Sequence, residues 1–454
     1  MKSKKGAVIT TLAVFLAALM TFAVLFSRYR NFQGSVIDIS FSEITQTENQ
    51  TSKAAPESPD YDALAADISA VYGAQVTAEA LKNLGDGTAC VIRDELAKGE
   101  ISNSRWHKLT GLTFNAFIDK YITKKSIDKG SNGKSSFTLG FTGDINFTET
   151  GYVMTHAYNV EGGAAGCIDE KFQDEMRSAD IMMINNEFPY SDRGSPLPDK
   201  KYTFRARPAH VHYLNDFGVD LAGLANNHAY DYGYDSFVDT LKTLSDAGIP
   251  YVGAGMNIDE ASAPVSFLIN GYKVSYIACS GVESPIKTPV ATEDSCGIFG
   301  SYDGGAAVAQ AVSKAKQDSD YVIVFPHWGY ENTTQLTNAQ YSNSKLWIDS
   351  GADAVIGCHA HILQGMQFYN GKPVIYGLGN FWFNTRSVST GLLKLVVRED
   401  GFETIFVPGM QSGSETHYIS DPAAQRRLFD EIEGYEPFHK VKITDEGAVL
   451  PAGD

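Results

Sequence analysis

Five short polar clusters hold the candidate chemistry of this chain: Thr142-Gly143-Asp144-Ile145-Asn146, Asn185-Asn186-Glu187, Asn226-Asn227-His228, His327-Trp328-Gly329-Tyr330-Glu331 and Gly357-Cys358-His359-Ala360-His361. They bring the carboxylates Asp144 and Glu187, several side-chain amides and four of the ten histidines in the chain. Such a mixture suits borderline divalent cations such as Mn2+, Zn2+ or Fe2+. Two of these a few ångströms apart clamp the attacking and leaving oxygens of a phosphoryl displacement. Each cluster alone has an ordinary explanation. Asp144 fits a helix N-cap after a strand, Asn226-Asn227 a turn pair, and His327 a packed loop histidine. His359-Ala360-His361 is more specific, because alternate residues of an extended segment point the same way. Two imidazoles aimed at one spot call for a cation or a carboxylate. The order and number of the set, rather than any one member, argue for a metal site.

The clusters follow compact apolar runs at residues 136–141, 181–184, 221–224, 321–325 and 354–356. Such runs predict strands in a sheet covered on both faces. In α/β sheets ligands gather beyond the carboxyl ends of strands, so the clusters should converge on one edge. Hairpins are predicted over 265–278 with a turn at Asn270-Gly271, over 366–376 at Asn370-Gly371, and over 392–407 at Asp400-Gly401. Parallel and hairpin elements together predict a layered α/β domain over 136–410, followed by an extension at 411–454.

Ahead of this domain the chain has a different texture. Residues 7–26 are apolar residues and threonines without a charge, long enough for a membrane-spanning helix. A poor cleavage site after Phe26 favours an uncleaved anchor within residues 1–30 over a removed signal peptide. Three lysines precede the run and two arginines follow it, which places the N terminus in the cytoplasm and the body outside the cell membrane. Residues 31–60 read as a flexible polar stalk. Residues 61–130 read as a small helical module or spacer, with apolar spacing at Leu64, Ile68 and Val71 and again at Leu112, Phe114, Phe117 and Ile118. A linker is predicted over 129–136.

Formal net charge is -17, but the first 37 residues hold five basic side chains and no acid. The rest therefore carries -22, which argues against a nucleic-acid partner. It also leaves an anionic polymer in need of bound cations as mediators. The five cysteines are scattered without a metal-binding spacing and read as small buried residues. A Cys279–Cys296 disulfide stays open for an oxidising compartment.

With Tyr376-Gly377-Leu378-Gly379-Asn380-Phe381 added, the ordered clusters resemble the bacterial capsule-synthesis CapA (poly-γ-glutamate synthesis) family of the calcineurin-like metallophosphoesterase superfamily. The resemblance runs from about residue 137 to 409. It implies a four-layer αββα sandwich with two divalent metal ions. Carried over residue by residue, Asp144, Glu187, Asn227, His327, His359 and His361 become metal ligands, with Glu187 in the bridging place. His228 becomes the group that protonates the leaving oxygen, with Asp144 beside it in the catalytic set. Asn146 joins the metal ligands in the place where the superfamily has a histidine, and Glu187 stands where it has an aspartate. Both departures weigh on phosphatase activity. Arg205 and Arg207 are candidates for clamping an anionic substrate, although surface arginines explain them equally. Glu331 is a candidate carboxylate for orienting a histidine, with a solvated loop glutamate the equal alternative, and Asn380 joins these as a substrate contact.

Two expectations follow. One is a membrane-bound component of a capsule or poly-γ-glutamate synthesis complex that handles an anionic polymer. The other is an extracellular metal-dependent hydrolase of a phosphorylated cell-envelope molecule. A binding module with a vestigial site is the plainer alternative.

Overall fold

A computed structural model describes residues 59–452, apart from 73–77, 83–84, 100, 111–126, 284 and 400. The anchor expected over 7–26 and nearly all of the stalk lie outside these residues. Among the described residues no helix is long and apolar enough to cross a membrane.

Four short helices, Tyr61–Tyr72, Ala78–Lys82, Asp86–Leu96 and Asn103–Thr110, close around a small core of Leu64, Ile68, Leu81, Ile92 and Trp106. Leu64 and Ile68 are buried as their spacing predicts, but Val71, in the last turn of its helix, is 44% exposed. The second apolar stretch, at 112–118, lies outside the described residues.

The remainder is a mixed α/β fold on two large sheets. In chain order its first strands are β1 (Ile127–Gly130), β2 (Phe137–Ile145), β3 (Ile181–Asn186), β4 (Leu221–Gly223), β5 (Tyr251–Val252) and β6 (Ala254–Gly255). Next come β7 (Val265–Ile269), β8 (Tyr272–Ser280), β9 (Gly297–Ile298), β10 (Tyr321–His327), β11 (Ala354–Ile356), β12 (Met366–Tyr369) and β13 (Lys372–Ile375). The last are β14 (Asn380–Trp382), β15 (Val388–Arg398), β16 (Gly401–Ser412), β17 (Glu415–Tyr418), β18 (Val441–Ile443) and β19 (Ala448–Pro451). One sheet runs β1-β7-β8-β10-β11-β13-β12. The other runs β18-β19-β16-β15-β2-β3-β4-β5, with β14 beside β2 and β17 beside β16. Both Asn-Gly pairs turn hairpins as predicted, with positive φ at Asn270, Gly271, Asn370 and Gly371.

The parallel trio β2-β3-β4 belongs to one sheet and the trio β8-β10-β11 to the other. Their inner faces share one core: the Phe141 ring lies 6.3 Å from both Phe325 and Tyr276. Burying one such aromatic side chain contributes about 2–3 kcal/mol. Across the seven-stranded sheet, helices Ala306–Lys316 and Asn338–Asp349 enclose a second core in which Trp328 stacks on Trp347 at 5.4 Å. Thr337 and Gln340 form a reciprocal capping box that starts the latter helix.

Two expectations are corrected, and one open alternative, the disulfide, is closed. β1 occupies part of the stretch read as module and linker, because Asn132 and Asn270 exchange hydrogen bonds of 2.9 Å that fasten it beside the β7–β8 turn. Residues 411–454 are no appendage. β16 runs through to Ser412, β17, β18 and β19 extend its sheet, and Leu428, Phe429 and Ile432 enter the main core. All five cysteines are free, so Cys279 and Cys296 are not joined.

Candidate metal centre

The carboxyl ends of strands from both sheets meet at one place. Asp144 comes from the end of β2, and Glu187 directly follows β3. Asn227 and His228 follow β4, and His327 ends β10. His359 and His361 follow β11. All seven are buried, Asp144 and Glu187 completely. The sequence predicted convergence on one sheet edge; the structure instead divides the set between two facing sheets. Gly143 sets the close approach of β2 to the segment that leads into β14. A Cβ there would collide with the carbonyl of Gly379, the same oxygen that accepts from the Asp144 N–H at 2.9 Å.

Two groups of ligand-type atoms lie within 4.8 Å of one another: Glu187, His327 and His359, and Asp144, Glu187 and His361. Glu187 is common to both. Its Oε1 is buried without a hydrogen-bond partner, as is Asp144 Oδ2. Three imidazole nitrogens face Glu187 Oε1: Nε2 of His228 and of His327 at 3.8 Å, and Nε2 of His361 at 4.0 Å. These gaps are too long for hydrogen bonds. They match a nitrogen and an oxygen sharing one ion, which sit about 3–4 Å apart when each metal–ligand bond is about 2 Å. A buried carboxylate oxygen left unpaired is costly. His359 Nδ1 also lies 3.0 Å from His327 Nε2, which itself lies 2.8 Å from Asn227 Oδ1. The residues present therefore fit divalent cations.

Charge states agree with that fit. Burial raises the Glu187 carboxyl well above the carboxylate range, and the neighbouring Asp144 charge raises it further. Burial pushes Asp144 up as well, but His361 and Asn185 outweigh it and leave the carboxyl below its usual value. Burial lowers His327 well below the ordinary imidazole value, helped by His359 and His361. It takes His359 down to about 3, helped by His361. Both keep free lone pairs at neutral pH. His361 shifts upward because Asp144, 3.2 Å away, outweighs burial.

The histidine pair converges by a different route from the one the sequence suggested. His359 and His361 have φ of +97° and +58°, so the segment is a strained loop rather than extended chain. The two rings, 6.0 Å apart, serve different groups, His359 with His327 and His361 with Asp144.

The other predicted residues are placed as follows. Asn146 is buried, and its side-chain oxygen accepts from the N–H and hydroxyl of Thr148. Asn380 accepts from His361 Nδ1 at 2.8 Å and pairs in register with Asp144, while its own amide nitrogen has no partner. Glu331 is exposed, yet its charge helps raise both Glu187 and His361. Arg205 packs over the Tyr232 ring and donates to the Arg193 carbonyl. Arg207 is 59% exposed and pairs with Glu149. Neither arginine contacts a candidate ligand through these bonds.

Asn185 and Asn226 stood in the polar clusters without a role of their own, and Asp231, Phe204, Phe383, Arg386 and Asn332 escaped sequence reasoning. Asn185 Nδ2 donates to Asp144 at 2.7 Å and Glu187 at 3.1 Å, and Asn226 donates to Asn185 at 3.2 Å. Asp231 lies 2.7 Å from His228 Nδ1. Its place three residues after His228 was the available signal. Phe204, 4.2 Å from the His228 ring, meets Phe383, 4.7 Å from His361, and the two wall the site. Arg386 donates to Asn332, whose N–H donates to the carbonyl of Ala360 between the paired histidines.

Residues 138–385, more than half of the chain, match the family described as bacterial capsule synthesis protein PGA_cap. The chain is 30% identical over 236 residues to the capsule biosynthesis protein CapA of Bacillus anthracis, covering 50% of this chain and 56% of that one. It is 28% identical over 230 residues to the PGA biosynthesis protein CapA of Bacillus subtilis, covering 50% and 60%. It thus spans little more than half the length of these relatives. Among solved structures, the NAD nucleotidase of Haemophilus influenzae overlaps 67% of this chain and 63% of its own, at 13% identity and a TM-score of 0.37, too slight to argue from. On the strength of the family match, this chain belongs to the bacterial capsule synthesis protein family PGA_cap.

Proposed function

We propose that this chain is an accessory protein of capsular poly-γ-glutamate synthesis or export, held at the outer side of the cell membrane by residues 7–26. Its domain folds as the four-layer sandwich of the metallophosphoesterases and carries two divalent cations. The observation that carries the reading is Glu187, a fully buried carboxylate common to two ligand groups, with one oxygen facing three imidazoles. Asp144, Glu187 and His361 would hold one cation, and Glu187, His327 and His359 the other, with Asn227 beside them. The names of the Bacillus relatives supply the polymer. Bound cations give an acidic body a means of meeting polymer carboxylates.

A second reading, metal-dependent hydrolysis of a phosphoester, is favoured by one specific contact. Asp231 accepts from His228 Nδ1, which leaves Nε2 turned toward Glu187. Protonated on both nitrogens, with Asp231 opposite to stabilise the imidazolium, His228 can pass the Nε2 proton to a leaving oxygen. Phe204 and Phe383 wall that side of the site. The cations, when bound, would supply Lewis acidity toward an anionic oxygen.

The test is metal analysis of the full chain purified in detergent after exposure to Mn2+, followed by a poly-γ-glutamate binding assay with and without chelator. Chelator-sensitive polymer binding supports the accessory role. Turnover of bis(p-nitrophenyl) phosphate without polymer binding supports the hydrolase. A chain that takes up no divalent metal overturns both.

A further inference from the structure

We propose that Lys200 is a positioning residue that sets a metal-binding amide and the proton-donating histidine together, an inference that rests on the metal-centre reading above. Lys200 belongs to the loop between β3 and β4, where nothing local in the sequence draws attention to it. Its side chain is only 5% exposed. The ammonium lies 2.8 Å from Asp231 Oδ1 and 2.8 Å from Glu283 Oε2, and donates to the backbone carbonyl of Asn227. Thr288 Oγ1 reaches the same carbonyl at 2.8 Å and Glu283 Oε2 at 2.9 Å. Glu283 stands at a φ of +65°, a conformation that side chains adopt only when their surroundings enforce it.

The geometry ties three loops to one point. Asn227 is held from behind while its side-chain oxygen faces His327 at 2.8 Å. Asp231, fully buried, is held on one oxygen by Lys200, while its other oxygen accepts from the Phe204 N–H at 2.6 Å and meets His228 Nδ1 at 2.7 Å. One ammonium therefore fixes the position of Asn227 and, through Asp231, the ring of His228. A lysine whose only task was to neutralise Asp231 would need neither the Asn227 carbonyl nor the second carboxylate. Outer partners of this kind typically change metal affinity or activity about 10–100-fold when removed.

The experiment compares wild type, Lys200→Met and Glu283→Gln as full chains in detergent. It reads Mn2+ affinity by calorimetry and the His228 ring tautomer by 15N NMR, with bis(p-nitrophenyl) phosphate turnover alongside. The expected result for Lys200→Met is a loss of Mn2+ affinity of about 10–100-fold and a mixed His228 tautomer, with any turnover falling in kcat rather than KM. Glu283→Gln, which keeps the lysine, should change both in the same direction by less. It decides the question if Lys200→Met does not fold. Unchanged affinity and an unchanged tautomer in a folded variant overturn the role of Lys200, whereas wild type that binds no Mn2+ overturns the metal-centre reading. In that second case the tautomer in metal-free protein still judges the clamp.

Discussion

The two ligand groups around Glu187 differ in kind. The His327–His359 side is built of imidazoles whose burial keeps them neutral. The Asp144–His361 side is built around a carboxylate held ionised by its neighbours, with Asn185 and Asn380 donating and accepting around it. Asn146, the residue that would complete this second side by analogy, has its oxygen engaged by Thr148. The difference teaches that the two positions should be unequal. The imidazole side suits a softer borderline cation, and the carboxylate side a harder, more weakly held one.

The comparison can be broken most completely at the shared residue. Glu187→Gln should empty both positions, with a loss of apparent affinity at least as large as the roughly 100-fold that outer partners alone can cost; metal content by mass spectrometry checks it. His359→Ala should empty one side only and leave about half the wild-type content, since each position keeps its own ligands. Equal loss from both sides would show that the two groups act as one.

A third test uses pH on chelator-treated protein. Folded His327 and His359 have lowered values, so they withdraw stability as pH falls below the ordinary imidazole value of 6.5. Glu187 and His361 have raised values, so their contributions are present at low pH and lost as pH rises: from about 4.5 upward for Glu187 and from about 6.5 upward for His361. Below 6.5 the two imidazoles oppose the single carboxyl; above it only the falling contributions remain. Thermal unfolding of the metal-free chain should therefore be most resistant near pH 6.5, and metal loading should remove the decline above it. The smallest effect is expected at Arg207. Arg207→Ala breaks only an exposed ion pair and should leave both metal content and the midpoint of a thermal melt unchanged.

What the sequence could reveal was local. Short apolar runs ending in Asp144, Glu187, Asn227 and His327 announced strand ends, and the Asn-Gly pairs announced hairpins, because strand burial and positive-φ turns depend on neighbouring residues. What it concealed was long-range. No local pattern states that β2-β3-β4 and β8-β10-β11 lie in different sheets, or that β18 and β19 return to the strands of residues 137–412. The partnership of Lys200 with Glu283 spans 83 positions and left no trace in either neighbourhood. The pair His359 and His361 was visible, but their loop geometry was not, since it depends on what β11 meets after leaving its sheet.

Gly143 gives the site an unusual kind of vulnerability. The distance between Asp144 and the segment that carries Asn380 is fixed by an atom that is missing, since the smallest added side chain would wedge Gly379 and its neighbour Asn380 away from Asp144. A functional group can be exchanged for a near relative and retain part of its purpose. A gap of this size admits no such substitute, so the residue with no chemistry of its own leaves the least room for change.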